Sequence, residues 1–143
     1  MISKLQKPID SGFNSKSNAH EITKDVDLNG KIAIVTGGYS GIGLETTREL
    51  VSSGAEVIIP AKRSDVAIKN LEGIVSKDNV IEMDLSDLNS VKNFTDGYKE
   101  NFNRLDLLIN NAGIMAVLKQ ELVITGKVKL RLIILVTSYL LKS

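Results

Sequence analysis

Ile32-Ala33-Ile34-Val35, followed by Thr36-Gly37-Gly38-Tyr39-Ser40-Gly41-Ile42-Gly43, constrains the fold more than any other stretch of the chain. Four consecutive apolar residues suit a strand covered on both faces, as in a parallel sheet. The glycines let the backbone turn sharply and let a ligand approach without side chains in the way. Residues 44–53 then read as a helix, with Gly54 as its C-terminal stop. A helix that starts after such a turn presents free N–H groups and the positive end of its dipole to an anion. That is what a dinucleotide pyrophosphate requires. A tight turn with no ligand would use the same glycines, so the strand before, the helix after and a further strand beyond are what give the pattern weight.

The remaining composition narrows the alternatives. The 143 residues suffice for one domain with a modest core. At 43% hydrophobic and 24% charged, the chain reads as a soluble globular protein. A net charge of +1 lacks the basic excess of a nucleic-acid binder. With no cysteine, neither a disulfide framework nor a thiolate metal site can form. The single histidine, His20, lies in a polar segment and reads as a solvated surface residue, which argues against a zinc site or a Ser-His-Asp triad. The N-terminus lacks the apolar core of a signal peptide, so a cytoplasmic location is expected. Residues 1–27 read as a polar extension with little structure of its own, touching the domain through Ile9 and Phe13. Residues 28–31 form a turn that delivers the first strand.

Downstream, residues 56–61 read as a second strand centred on Val57-Ile58-Ile59. An NAD site usually carries an acid just beyond this strand, gripping the ribose 2′-hydroxyl. Here Lys62-Arg63 stand instead, and Arg63 suits a 2′-phosphate. NADP is therefore favoured over NAD, the alternative being two ordinary solvated charges. Residues 65–74 read as a short, weakly amphipathic helix. Residues 80–83 read as a third strand ending at Asp84-Leu85-Ser86. A helix over residues 88–102 places Leu88, Val91, Phe94 and Tyr98 on one face as core, with Ser86 or Asp87 as its N-cap. Residues 105–109 form a fourth strand leading into Asn110-Asn111-Ala112-Gly113.

The spacing Thr-Gly-x-x-x-Gly-Ile-Gly at 36–43 differs from the G-x-G-x-x-G of the commoner Rossmann dehydrogenases. Together with Asn-Asn-Ala-Gly at 110–113, and Asp84 between them, it resembles the short-chain dehydrogenase/reductase family. The resemblance covers residues 28–116. The wording of residues 37–47 and 111–116 is most similar to the retinol-dehydrogenase-like and WW-domain-oxidoreductase-like members. The resemblance implies an α/β fold, a partial Rossmann doubly wound parallel sheet with strand order 3-2-1-4. It implies hydride transfer between NADP, or NAD, and an alcohol or carbonyl. It places Thr36, Gly37, Tyr39, Ser40, Gly41, Ile42 and Gly43 around the pyrophosphate, and Arg63 at the 2′-phosphate. Asp84 and Leu85 fall at the adenine, and Asn111, Ala112 and Gly113 beside the cofactor ribose. The expected partner is the dinucleotide, with no nucleic acid, no metal and no membrane. The fourth strand is expected to leave an open sheet edge, inviting oligomerisation or aggregation.

After Ala116 the resemblance fades into a divergent apolar tail, residues 117–143. Family members carry a catalytic Ser and a Tyr-x-x-x-Lys pair, in which the Lys tunes the Tyr as general acid/base. No Tyr-x-x-x-Lys occurs here: Tyr139 and Lys142 are one residue too close. No catalytic residue is assigned. Read one base out of frame, Ile133 to Tyr139 permits Asn-His-Leu-Gly-His-Phe-Leu, a helix typical of the family. Gly126, Lys127 and Lys129 permit Trp, Glu and Gln ahead of it. The hypothesis is a frameshift between about Ala116 and Val123, and a gene sequence with incompatible third bases would end it. The rival is an internal deletion that makes Leu132-Ile133-Ile134-Leu135-Val136-Thr137-Ser138 the fifth strand with Ser138 catalytic, but a parallel strand then lacks its crossover helix. The tail is too short, and too flanked by Lys and Arg, for a membrane span. Residues 128–136 could instead add a makeshift strand at the sheet edge. Two functions follow: the cofactor-binding half of an oxidoreductase, or a non-catalytic fragment that at most binds nucleotide. The second is favoured for the chain as written.

Overall fold

The computed structural model describes residues 11–113. Strands β1 (Ile32–Val35), β2 (Glu56–Ala61), β3 (Val80–Glu82) and β4 (Leu107–Ile109) form one parallel sheet in the order β3-β2-β1-β4. Helix α2 (Gly41–Ser52) joins β1 to β2, and α3 (Ser64–Asn70) with a 3-10 turn at Lys77–Asn79 joins β2 to β3. Helix α4 (Leu88–Asn101) then carries the chain back across the sheet to β4, on the other side of β1. This is the expected 3-2-1-4 order.

Both faces of the sheet are covered, which is why its strands read as unbroken apolar runs rather than alternating ones. Ala33, Val35, Val57 and Ile59 point to one face, where Leu44, Leu50 and Val51 of α2 and Ala67 and Leu71 of the α3 segment pack on them. Ile34 and Ile58 point to the other, against Val91, Phe94 and Tyr98 of α4. Ile34 and Ile58 are fully buried, and such burial contributes about 1.5–3 kcal/mol per side chain. The register Ala33↔Val57, Ile34↔Ile58 and Val35↔Ile109 keeps each face consistent.

The departures from expectation lie at element ends. Helix α2 begins at Gly41 rather than at residue 44, because Ser40 takes the extended backbone of an N-cap (φ −154°, ψ 155°). Its C-terminus is as expected. Gly54 at φ +94° donates its N–H to Val51 O, and Ala55 N–H reaches Leu50 O, which closes a Schellman turn. Helix α3 stops at Asn70 because Leu71 caps it and the chain turns through Gly73 at φ +74°. Strand β4 starts at Leu107; just ahead of it Asp106 meets β1 twice, its N–H donating to Ile32 O at 3.0 Å and its Oδ2 accepting the Ile32 N–H at 2.9 Å. Of the four residues expected on the core face of α4, Val91, Phe94 and Tyr98 are buried but Leu88 is 58% exposed. Leu88 is the first helical residue after the Asp87 N-cap, before the helix has settled onto the sheet.

The N-terminal extension holds a short helix, α1 (Ala19–Thr23), closed by a capping box between Asn18 and Glu21. It docks on α2 through Glu49, which accepts from Thr23 Oγ1 at 2.6 Å and lies 3.5 Å from His20 Nδ1. His20 is largely exposed. Phe13 does not pack on the domain as expected. It is 46% exposed, and the contacts of the extension are polar ones made further along the chain. Ile9, the residues beyond Gly113, and every reading placed on that tail fall outside the described residues.

Candidate functional site

A parallel sheet puts the C-terminal ends of all its strands on one edge. In this sheet the chain leaves β1 toward β2 on one side, while β4 arrives on the other. That reversal opens a crevice between the turns that follow β1 and β4.

The two glycine-bearing turns meet there and are bonded to each other. Asn111 Nδ2 donates to the carbonyl oxygens of Thr36 (3.2 Å) and Gly37 (3.3 Å). Ala112 N–H donates to Thr36 Oγ1 at 3.1 Å, and Thr36 N–H donates to Ile109 O at 3.0 Å. Gly37 has φ +66°, and a Cβ on it would lie 3.1 Å from Ala112 Cα. A Cβ on Gly43 would collide with Gly37 O and with Asn111 Nδ2. A side chain at Gly37 would be strained by its positive φ and tight against Ala112, and Gly43 has no room for one, so the first turn of α2 sits directly on the end of β1. Thr47 fastens the turn from below, its Oγ1 donating to Gly38 O at 2.8 Å.

Gly41 and Ile42 begin α2 at the open side, where Ile42 is 82% exposed. Ser40 caps α2 by backbone alone: its hydroxyl makes no cap hydrogen bond. The first-turn amides therefore keep their capacity for an outside acceptor. Tyr39 packs its ring on the core, and its carbonyl accepts from Asn70 Nδ2 at 3.1 Å, tying the turn to α3. Asn111 and Ala112 are half-buried and Gly113 is exposed. The residues present thus fit a pyrophosphate: a glycine-rich turn with open space above Gly41, beside a helix start that no side chain caps.

A second corner lies further along the same edge, at the ends of β2 and β3, where the sequence places the adenosine half. Asp84 is tightly held. Oδ1 accepts from Ser86 N–H (2.8 Å) and Ser86 Oγ (2.7 Å), and Asp84 N–H donates to Ser90 Oγ at 2.9 Å. Lys62 Nζ lies 2.8 Å from Oδ2. The Lys62 ammonium, with help from the Ser86 hydroxyl and amide, lowers the Asp84 carboxyl from 3.8 to about 2. Asp84 in turn raises the Lys62 amine. Leu85 packs half-buried against the α4 face of the core. Arg63 stands exposed at the N-cap of α3, without an ion pair among the described residues.

Sequence reasoning placed two cations at this corner and assigned Arg63 to a 2′-phosphate, with no role of its own for Lys62. The structure separates them: Lys62 is bound to Asp84, and Arg63 is left to the solvent. Ser86 was a candidate N-cap of the helix that follows, but Asp87 takes that place and Ser86 bonds to Asp84 instead. Ser90, Thr47 and Asn70 gave no signal, because each acts on a backbone group that only the fold brings to it. Among the described residues no cluster of His, Asp or Glu could hold a metal ion, and no helix is long and apolar enough to cross a membrane. A shallow polar cleft between Lys24–Asp27 and Ser52–Gly54 lies at the opposite end of the sheet, away from the crevice.

Comparisons with known proteins agree with this geometry. The model of the short chain dehydrogenase family matches residues 31–134, past the point where the motif-based resemblance ends. Short-chain dehydrogenase TIC 32 B, chloroplastic, from Brassica napus is 39% identical over 110 residues, 73% of this chain and 34% of that protein. Human retinol dehydrogenase 12 is 39% identical over 64% of this chain and 30% of its own length. The Drosophila melanogaster WW domain-containing oxidoreductase is 35% identical over 73% and 27%. The chain spans about a third of the length of the curated relatives it matches. Among solved structures, the Pseudomonas aeruginosa RhlG/NADP active-site complex superposes with a TM-score of 0.62 at 28% identity, over 81% of this chain and 47% of that one. The Escherichia coli oxidoreductase yciK gives a TM-score of 0.68 at 22% identity, over 80% and 52%, a likeness of fold alone.

Proposed function

The chain belongs to the short-chain dehydrogenase family, and from that premise we propose that residues 31–113 bind a nicotinamide adenine dinucleotide, NADP in preference to NAD. The observation that carries the reading is the bonded pair of turns: Asn111 and Ala112 fix Thr36 and Gly37 beside the uncapped first turn of α2. Thr36, Gly37, Ser40, Gly41, Ile42 and Gly43 would hold the pyrophosphate by backbone, with Tyr39 anchoring the turn. Asn111, Ala112 and Gly113 would flank the ribose, and Asp84 and Leu85 would meet the adenine. Arg63, exposed and unpaired among the described residues, would meet a 2′-phosphate. When bound, the nicotinamide supplies hydride exchange with an alcohol or carbonyl. These 143 residues hold no Tyr-x-x-x-Lys to move the accompanying proton. By themselves they are proposed to bind nucleotide without turnover.

The test is a titration of the full chain with NADPH and with NADH, followed by nicotinamide fluorescence. NADPH is expected to bind at least about tenfold more tightly, a difference of about 1.4 kcal/mol. Binding of neither would overturn the reading. Incubation with NADPH and an aldehyde is expected to consume no cofactor, and cofactor-dependent turnover by the pure chain would overturn the non-catalytic part.

A further inference from the structure

We propose that Lys62 is a specificity-determining residue that acts through Asp84: the ion pair cancels the Asp84 carboxylate and leaves Arg63 to meet a 2′-phosphate unopposed. The inference rests on the reading that this edge binds an adenine dinucleotide. The pair follows from strand register. Ala61 lies level with Glu82, and Met83 N–H donates to Ala61 O at 3.0 Å. Lys62 directly follows β2 and Asp84 lies two residues past the end of β3, which brings their side chains within 2.8 Å across the corner.

The two partners are not equally constrained. Ser86 and Ser90 fix Asp84 through its carboxylate and its amide, so the acid cannot turn away from an arriving ligand. Lys62 reaches it along a stem that is 67% exposed, while Asp84 keeps 30% exposure. The carboxylate is ionised throughout the neutral range. A 2′-phosphate is dianionic or nearly so, and a bare Asp84 on the same corner would repel it through a field that physiological salt screens over about 8 Å. The corner also carries the acids Asp65, Glu82 and Asp87, so loss of the Lys62 charge makes an already acidic surrounding one unit more negative. The adenine itself is uncharged, so a ligand lacking the 2′-phosphate has little at stake in this balance. Asp84 Oδ1 is shared with Ser86 and Oδ2 with Lys62, and a carboxylate has about four acceptor sites in all. One remains for an amine.

Adenosine 2′,5′-bisphosphate and 5′-AMP differ only in the 2′-phosphate, and the readout is the ratio of their affinities for the full chain by isothermal titration calorimetry. Lys62→Met is expected to lower that ratio about tenfold, chiefly by weakening the bisphosphate. Lys62→Arg is expected to keep it. Adding Asp84→Asn to Lys62→Met removes the repulsion and is expected to return the ratio to within about threefold of the parent chain, whatever it does to adenine binding in common. An unchanged ratio in Lys62→Met overturns the proposal. So does a ratio that falls and is not restored in the double variant, since Lys62 would then touch the phosphate itself. If the parent chain binds neither nucleotide, the nucleotide-binding reading falls and this inference falls with it. If the parent binds both and only the ratio is insensitive to Lys62, this inference alone is lost.

Discussion

At the scale of single residues the crevice depends on atoms that are missing. Gly43 lies against Gly37 O and Asn111 Nδ2, so one methyl group there has nowhere to go. The obstacle is backbone on one side and a doubly bonded amide on the other, and neither yields cheaply. Gly97, midway along α4, is the opposite case: a Cβ there meets nothing within 4 Å and the backbone is helical. The same substitution should therefore have opposite signs. Gly43→Ala is expected to destabilise by about 1–3 kcal/mol and to weaken NADPH binding. Gly97→Ala is expected to stabilise by about 0.5–1 kcal/mol. Urea denaturation of the two variants checks both. A Gly43→Ala chain as stable as the parent would show that α2 can slide off the end of β1.

At the scale of elements, α4 is tied to the strand that follows it. Tyr98 stacks on Phe102 with ring centroids 4.8 Å apart and lies 6.3 Å from Phe94. Its hydroxyl donates to Arg104 O at 2.8 Å, just ahead of β4. Burial, and then the nearby Glu56 and Asp106 carboxylates, raise the phenol from 10.0 to about 12. A phenol whose proton is held more tightly in the folded chain stabilises the fold below its unfolded value and loses that contribution as pH rises through its folded one. Stability should thus decline between pH 10 and 12. Tyr98→Phe is expected to cost about 1 kcal/mol at neutral pH for the lost hydrogen bond and to flatten the alkaline decline. Thermal melts from pH 8 to 12 test this, and identical slopes in parent and variant would refute it.

For the whole molecule, two carboxylates mark the two ends of the sheet. Asp84 sits at the crevice end. Asp106 sits at the other, bound by Arg104 Nε (3.0 Å) and Nη2 (2.6 Å), by the Ile32 N–H (2.9 Å) and by Lys31 Nζ (3.3 Å). The Arg104 guanidinium first, then the Ile32 amide, hold the Asp106 carboxyl far below its usual range. Both acids are depressed in the folded chain. Their contribution is therefore complete above the ordinary value of 3.8 and is lost as pH falls toward about 2 for Asp84 and lower for Asp106. The parent chain should lose stability below about pH 4. Asp106→Asn, which keeps an acceptor for Ile32 but drops the charge, should show a shallower loss over the same range. Melting temperatures from pH 6 to 2 decide the matter, and parallel curves would exclude Asp106 as a source of the acid sensitivity.

Local chemistry alone determined much of this protein. Ile32–Val35 and Val57-Ile58-Ile59 read as strands covered on both faces because every residue in them is apolar, and α2 and α4 cover those faces. The glycine turn and Asn-Asn-Ala-Gly could be placed at the two strand ends because their backbone demands are written within a few residues. Sheet order was legible through the family likeness those motifs carry. Tertiary structure decided the rest. Nothing within the Asp84-Leu85-Ser86 stretch says that Lys62 will hold the acid, nor does Asp106 reveal that it will take the Ile32 amide, 74 residues away in sequence. Spacing placed Leu88 on the apolar face and a bulky ring made Phe13 a candidate contact, yet both are exposed, since burial depends on where an element meets the sheet. Secondary structure and turns answer to neighbours along the chain. Ion pairs and burial answer to register between strands far apart in sequence, and only the folded sheet sets that register.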